Sequence, residues 1–182
     1  MSEVERRLAA LRVEARAAIR DVADFPKPGI LFRDITPLLG NERLFVAVTA
    51  AMGAFHADAG LTHALGIESR GFIFGAPIAQ ALRVPFIPAR KPGKLPAKTI
   101  REEYALEYGS DALEIHADAL TAGARVLIVD DVLATGGTAL AACRLVESAG
   151  ARVAGCVFLL ELTELGGRAR LAGRDVHALL TY

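Results

Sequence analysis

The chain has 182 residues, 53% of them hydrophobic and 23% charged, a composition that suits one folded domain with a buried core and excludes a disordered chain. Lys plus Arg and Asp plus Glu both total 21, so a formal net charge of zero gives no general electrostatic reason to bind nucleic acid or a membrane surface. Cys143 and Cys156 lack CxxC spacing, no stretch approaches the ~20 apolar residues of a membrane span, and the mixed-charge N-terminus has no signal-peptide core; the expectation is a soluble cytoplasmic protein with reduced thiols.

In chain order, Val4, Leu8, Leu11, Ile19 and Val22 recur at helical spacing and predict an amphipathic helix over residues 3–22. Phe25-Pro26-Lys27-Pro28-Gly29 cannot be helical. A second helix is predicted from Glu42 to Ala57, with Asn41 as N-cap and Leu44, Phe45, Val48, Met52 and Phe55 as its apolar stripe. The chain then alternates: strand His63–Ile67, turn Glu68–Gly71, helix Phe72–Leu82, strand Val84–Ala89. Residues 90–103 hold Pro92, Gly93 and Pro96 among Arg90, Lys91, Lys94, Lys98 and Arg101, and read as a long mobile loop. Tyr104–Tyr108 and Ala112–His116 predict a hairpin across Gly109-Ser110-Asp111. Arg125–Val129 is a continuous apolar strand suited to burial on both faces, followed by Asp130-Asp131, a glycine turn and a helix Thr138–Ala149. A strand Val153–Leu160, a short helix Glu164–Leu171 and a strand Val176–Thr181 complete the chain. This alternation predicts an α/β fold with a mainly parallel central sheet flanked by helices. His56, His63, His116 and His177 are scattered along the chain and predict no metal set.

The most specific chemistry lies in Val126 to Thr138, a buried strand that ends in two acids and turns through Gly136-Gly137 into a helix. Paired glycines let backbone amides approach a phosphate, and the helix N-terminus adds free N–H groups and its dipole. Thr135 and Thr138 add hydroxyls, while Asp130 and Asp131 suit the vicinal hydroxyls of a ribose. Neither GxxxxGK[ST] nor GxGxxG is present, so the segment is neither a nucleotide P-loop nor a dinucleotide fingerprint.

This run resembles the 5-phosphoribosyl-1-pyrophosphate signature of the type I phosphoribosyltransferases. Four further segments resemble, in order, the adenine-using members of that family: Phe25 to Pro37 their base-binding segment, Glu68-Ser69-Arg70-Gly71-Phe72 their pyrophosphate loop, and Arg90 to Pro96 and Tyr104 to Gly109 the two ends of their catalytic loop. Glu161 to Gly167 fits as well. The resemblance implies one phosphoribosyltransferase domain over residues 1–182, with residues 1–37 forming the N-terminal helix and a small base-binding hood and residues 90–108 a flexible lid. It implies transfer of the phosphoribosyl group to adenine N9, giving AMP and pyrophosphate.

The implied roles follow the motifs. Asp130 and Asp131 hold the ribose, and Ala134, Thr135, Gly136, Gly137 and Thr138 cradle the 5′-phosphate. Glu68, Ser69, Arg70, Gly71, Arg90, Lys91 and Lys94 serve the pyrophosphate, and in the family a peptide within the Glu68–Gly71 loop is often cis. Backbone groups of Leu31 and Arg33 read adenine, while Phe32 and Leu162 sandwich its ring. Glu107 and Arg70 are the catalytic candidates, Glu107 as acid/base near adenine N7, and Tyr108 packs against substrate. Mg²⁺ is the implied cofactor, held largely through substrate and water with Asp130 or Asp131, and a homodimer without nucleic-acid or membrane partners is implied. Two alternatives stay open at this stage: a family member that uses 6-oxopurines or orotate, and a non-catalytic regulator that keeps the fold to sense the sugar diphosphate.

Overall fold

Helix α1 (Glu3–Ala18) begins with a capping box, in which Ser2 Oγ accepts the Glu5 amide at 3.1 Å and the Glu5 carboxylate accepts the Ser2 amide at 2.6 Å. The helix ends at Ala18, short of the predicted Val22, because Arg20–Ala23 pairs instead as strand β1, antiparallel to β2 (Leu31–Asp34). The register sets Arg20 opposite Asp34 and Asp21 opposite Arg33, and both cross-strand pairs are ion pairs. The connecting turn uses a cis Phe25–Pro26 peptide, and Asp24 Oδ1 accepts the Gly29 amide at 2.8 Å. Helices α2 (Thr36–Leu39) and α3 (Glu42–Ala54) follow. Asn41 caps α3 as expected, its Oδ1 accepting the Leu44 amide at 3.0 Å, but α3 ends at Ala54 because the chain tightens there, with the His56 amide donating to Gly53 O.

The computed structural model describes residues 2–105 and 110–182, and the chain divides into two compact units, Met1–Ala51 and Met52–Tyr182. The second unit contains a parallel sheet built from β3 (His63–Ile67), β4 (Phe86–Ala89), β7 (Arg125–Leu133), β8 (Arg152–Glu161) and β9 (Val176–Thr181), in the order β4-β3-β7-β8-β9. Helix α4 (Gly71–Leu82) connects β3 to β4, α5 (Gly137–Ser148) connects β7 to β8, and a 3₁₀ turn (Thr163–Leu165) with α6 (Gly167–Arg170) leads to β9. Val126 to Val129 and Cys156 to Leu160 are buried, as expected of central parallel strands covered on both faces. Cys143 of α5 and Cys156 of β8 lie in this core with their Sγ atoms 3.8 Å apart. Gly71 lets α4 approach β7 closely: a Cβ there would stand 2.8 Å from Val129 O.

Two predicted boundaries are corrected by strand pairing. Strand β7 continues through the two acids to Leu133, because its ladder with the long β8 continues past them, pairing Asp130 with Phe158 and Leu133 with Glu161. Residues 99–103 are not loop but part of β5 (Thr99–Ala105), which pairs antiparallel with β6 (Ser110–His116) in a separate hairpin. Ile100, Glu102 and Tyr104 share the more buried face while Arg101 and Glu103 are exposed, a period of two that the run of charges obscures in the sequence.

Candidate active site

The strand order reverses direction at one place. From β3 the chain crosses to β4 on one side, whereas from β7 it proceeds to β8 and β9 on the other. In open α/β sheets the crevice beyond the strand C-termini at such a switch point is where ligands bind. Here it lies at the C-terminal ends of β3 and β7, which are directly paired, and it is flanked by Glu68-Ser69-Arg70, by the last residues of β7 from Asp130 and by the turn to Gly137.

A cavity of about 370 Å³ occupies this place, lined by Glu68, Ser69, Arg70, Lys91, Tyr104, Asp130, Asp131, Val132 and Thr138. Glu68–Ser69 is a cis peptide. Arg70 reaches back across the crevice, its Nε 2.6 Å from Asp131 Oδ2. Burial raises the Asp131 carboxyl above the usual carboxylate range, and the Arg70 guanidinium opposes the rise. For half-buried Asp130, desolvation and then the Asp131 charge push the carboxyl well above that range. The two adjacent acids, two residues of one strand, are thus held in unequal environments.

A second hollow of about 120 Å³ adjoins the first and is lined by Asp130 and Val132 to Ala139, so it includes every residue from Ala134 to Thr138. Its shape depends on Gly136, which has φ +79° and would bring a Cβ within 2.5 Å of Gly167 O. Gly167 in turn has no room for a side chain against Ala134 O. The N-terminus of α6 therefore buttresses the turn. The first amides of α5 have no acceptors within the helix and are available to an anion seated in the hollow.

The cations of the 90–94 segment are organised by acids. Arg90 donates to both Glu68 oxygens, at 3.2 and 3.3 Å, and to Lys94 O at 3.1 Å. The Lys91 amide donates to Glu68 Oε2 at 2.9 Å. Lys91 Nζ bonds Tyr104 OH at 2.8 Å and pairs with Asp111. Burial raises the Glu68 carboxyl, but the Lys91 amide and the Arg90 guanidinium outweigh it and hold the group below the usual range. Asp111 is held low chiefly by Lys91. The start of the predicted lid thus makes bonds to Glu68, Tyr104 and Asp111, and the Gly93 amide adds a bond to Glu114 at 3.2 Å.

The structure gathers Glu68, Ser69, Arg70, Lys91, Asp130, Asp131 and Thr138 around one cavity, with Ala134 to Gly137 beside it. Arg90 and Lys94 join through their hydrogen bonds. Leu31, Phe32 and Arg33 lie on β2 of the first unit, where Phe32 meets Phe25 edge-on at 5.0 Å. Leu162 is half-buried at the start of the 3₁₀ turn. Glu107 and Tyr108 fall outside the described residues. Tyr104 and Asp111, which hold Lys91, and Gly167, which backs the glycine turn, were not predicted; the sequence offered only the doubled Gly166-Gly167 as a signal for the last.

A crevice at a switch point, with a cavity bearing two acids and a smaller glycine-lined hollow beside it, has the form of a phosphoribosyltransferase site; the family described as phosphoribosyl transferase domain matches residues 38–175, and the chain belongs to it. The adenine phosphoribosyltransferase of Myxococcus xanthus is 54% identical over 172 residues, 94% of each chain. The crystal structure of adenine phosphoribosyltransferase from Rhodothermus marinus is 51% identical, with a TM-score of 0.91 over 96% of this chain and 99% of that one. The Saccharomyces cerevisiae enzyme, solved with an imino-altritol bisphosphate and adenine, is 41% identical, with a TM-score of 0.90 over 94% of this chain and 99% of that one. Within the family the chain therefore stands among the adenine phosphoribosyltransferases.

Proposed function

We propose that the chain transfers the 5-phosphoribosyl group of 5-phosphoribosyl-1-pyrophosphate to adenine N9, releasing AMP and pyrophosphate. The observation that carries this reading is the pair of adjoining hollows at the switch point, one bearing Arg70, Asp130 and Asp131, the other formed by Ala134 to Thr138. The smaller one suits the 5′-phosphate, because helix amides and hydroxyls converge on it. Asp130 and Asp131 accept hydrogen bonds from the ribose hydroxyls. Arg70, with the basic segment organised by Glu68, faces the pyrophosphate and stabilises the charge that develops as the C1′–O bond breaks. Leu31, Phe32 and Arg33 are the proposed readers of adenine.

Asp130 and Asp131 are also the residues that fit Mg²⁺, since both are oxygen donors lining the larger cavity. They would hold it through waters and ribose hydroxyls, and it supplies neutralising charge for the leaving pyrophosphate. Glu107 is the proposed group that exchanges a proton with adenine N7. The residues around C1′ have two further tasks: to align base and sugar, worth on the order of 7–11 kcal/mol in well-oriented reactions, and to exclude water. The reading includes a cytoplasmic homodimer. Among the described residues no helix is long and apolar enough to cross a membrane. Light scattering at twice the mass of one chain is the check on the dimer.

The test is an assay of the purified chain with Mg²⁺ and 5-phosphoribosyl-1-pyrophosphate against adenine, hypoxanthine, guanine and orotate in parallel. AMP formation from adenine alone is expected. Equal turnover of hypoxanthine would overturn the base assignment. Tight binding of the sugar diphosphate without turnover of any base would favour a sensor instead.

A further inference from the structure

His56 lies far in sequence from Asp175 and His177, but the fold brings the three side chains together. The three side chains offer ligand atoms that all lie within 4.8 Å of one another. Asp175 Oδ2 is 3.3 Å from His56 Nε2, and Asp175 Oδ1 is 3.1 Å from His177 Nε2. Two atoms bound tetrahedrally to one ion at ~2.0–2.1 Å stand roughly 3.4 Å apart, so an ion held here draws the two rings, now one on each oxygen of Asp175, somewhat closer together.

His56 is the unusual member. It is 2% exposed, and neither ring nitrogen makes a well-formed hydrogen bond among the described residues, although Asp175 Oδ2 stands beside Nε2. Buried polar atoms are normally satisfied, and one that is not calls for an explanation. The fold makes room for this ring: a Cβ at Gly155 of β8 would overlap His56 Nε2, and the β7–β8 register shifts just before Gly155. Phe55 stacks on His177 at 4.8 Å with the planes 9° apart, which orients the second ring. Burial lowers the His56 pKa against the opposing pull of Asp175 and so favours the neutral imidazole, the form that ligates a metal.

We propose that His56, Asp175 and His177 bind one zinc-class divalent ion, joining the turn after α3 to the start of β9. Two imidazoles and a carboxylate suit Zn²⁺, whereas Mg²⁺ and Ca²⁺ favour all-oxygen sets. Asp175 also lines an open groove of about 470 Å³ with Gly173 and Arg174, which gives an ion and its remaining water ligand access from solvent. Arg174, the neighbouring cation, is paired with Glu147 at 2.7 Å. The site lies at the N-terminal end of β9, the opposite end of the sheet from the crevice of Asp130 and Arg70. Its role is structural: the ion closes a long loop and replaces the missing partner of a buried imidazole.

The test uses tag-free chain stripped of metal by a chelator. Calorimetric titration with Zn²⁺ is expected to give one site per chain. At 100-fold excess over Kd, Zn²⁺ should raise Tm by ~5 °C or more. The Co²⁺-loaded protein should develop visible d–d absorption. Asp175→Asn and His177→Gln, both at solvent-accessible positions, should each weaken Zn²⁺ binding at least tenfold and abolish the Tm rise, with the metal-free Tm and the turnover of adenine unchanged. Zn²⁺ binding that survives both substitutions, binding lost only on Asp130→Asn, or no binding at tens of micromolar Zn²⁺ would each overturn the assignment.

Discussion

Asp130 and Asp131 differ in what surrounds them. Asp131 meets the Arg70 guanidinium at 2.6 Å, while Asp130 is governed by desolvation and by the charge of its neighbour. The sign of the consequence follows from linkage. A carboxyl whose folded-state pKa is raised contributes stability below its unfolded value of ~3.9, and that contribution is lost as pH rises through the folded value. Asp130→Asn removes the cost of ionising this group. The variant is therefore expected to melt higher than the parent at pH 7, by roughly 2–4 °C per kcal/mol recovered, with the difference closing as pH falls. It should turn over adenine at least ~10²-fold more slowly, the usual trade between stability and a charged site. Melting curves across pH decide the first part; an unchanged difference at all pH values would contradict it. At Glu107, Glu107→Gln is expected to lower kcat at least tenfold and on the order of 10²–10⁴ if the proton transfer limits turnover, with KM within a few-fold. Normal turnover of that variant would remove the residue from the mechanism.

Elements decide where these residues stand. The strand, acid pair, glycine turn and helix from Val126 to Ser148 were legible because each part has a local signature: apolar run, paired Gly, helical spacing. Boundaries set by pairing were not. Nothing local in Arg20–Ala23 announces that Asp21 will find Arg33 and leave the helix, and nothing in Asp130–Leu133 announces that β8 continues the ladder. The same holds for Gly167, whose role exists only because α6 abuts the turn of Gly136, and for His56, which the fold alone brings to Asp175 and His177. Gly167→Ala tests the buttress. A methyl there collides with Ala134 O, so the turn must shift, and a loss of about 1–3 kcal/mol of stability is expected. KM for the sugar diphosphate should rise at least tenfold while KM for adenine moves little, which steady-state kinetics with each substrate varied will resolve.

For the whole molecule, balanced charge has its own effect. With 21 bases and 21 acids the calculated isoelectric point is about 6.9, so colloidal repulsion is weakest near neutrality. Turbidity at fixed concentration should peak close to pH 7 and fall on either side, and a flat profile would show that patches rather than net charge govern association.

The thiols of Cys143 and Cys156 face each other where α5 rests on β8, and neither is accessible. No disulfide reagent in the solvent can reach them until that helix lifts from the sheet. Reagent consumption by the untouched chain is therefore a built-in clock for opening: slow, released as two equivalents together, and paced by separation of the layers rather than by thiol chemistry. Because α5 starts at the phosphate hollow, a sugar phosphate seated there should slow the clock, so occupancy of the site can be timed from its opposite side without following catalysis.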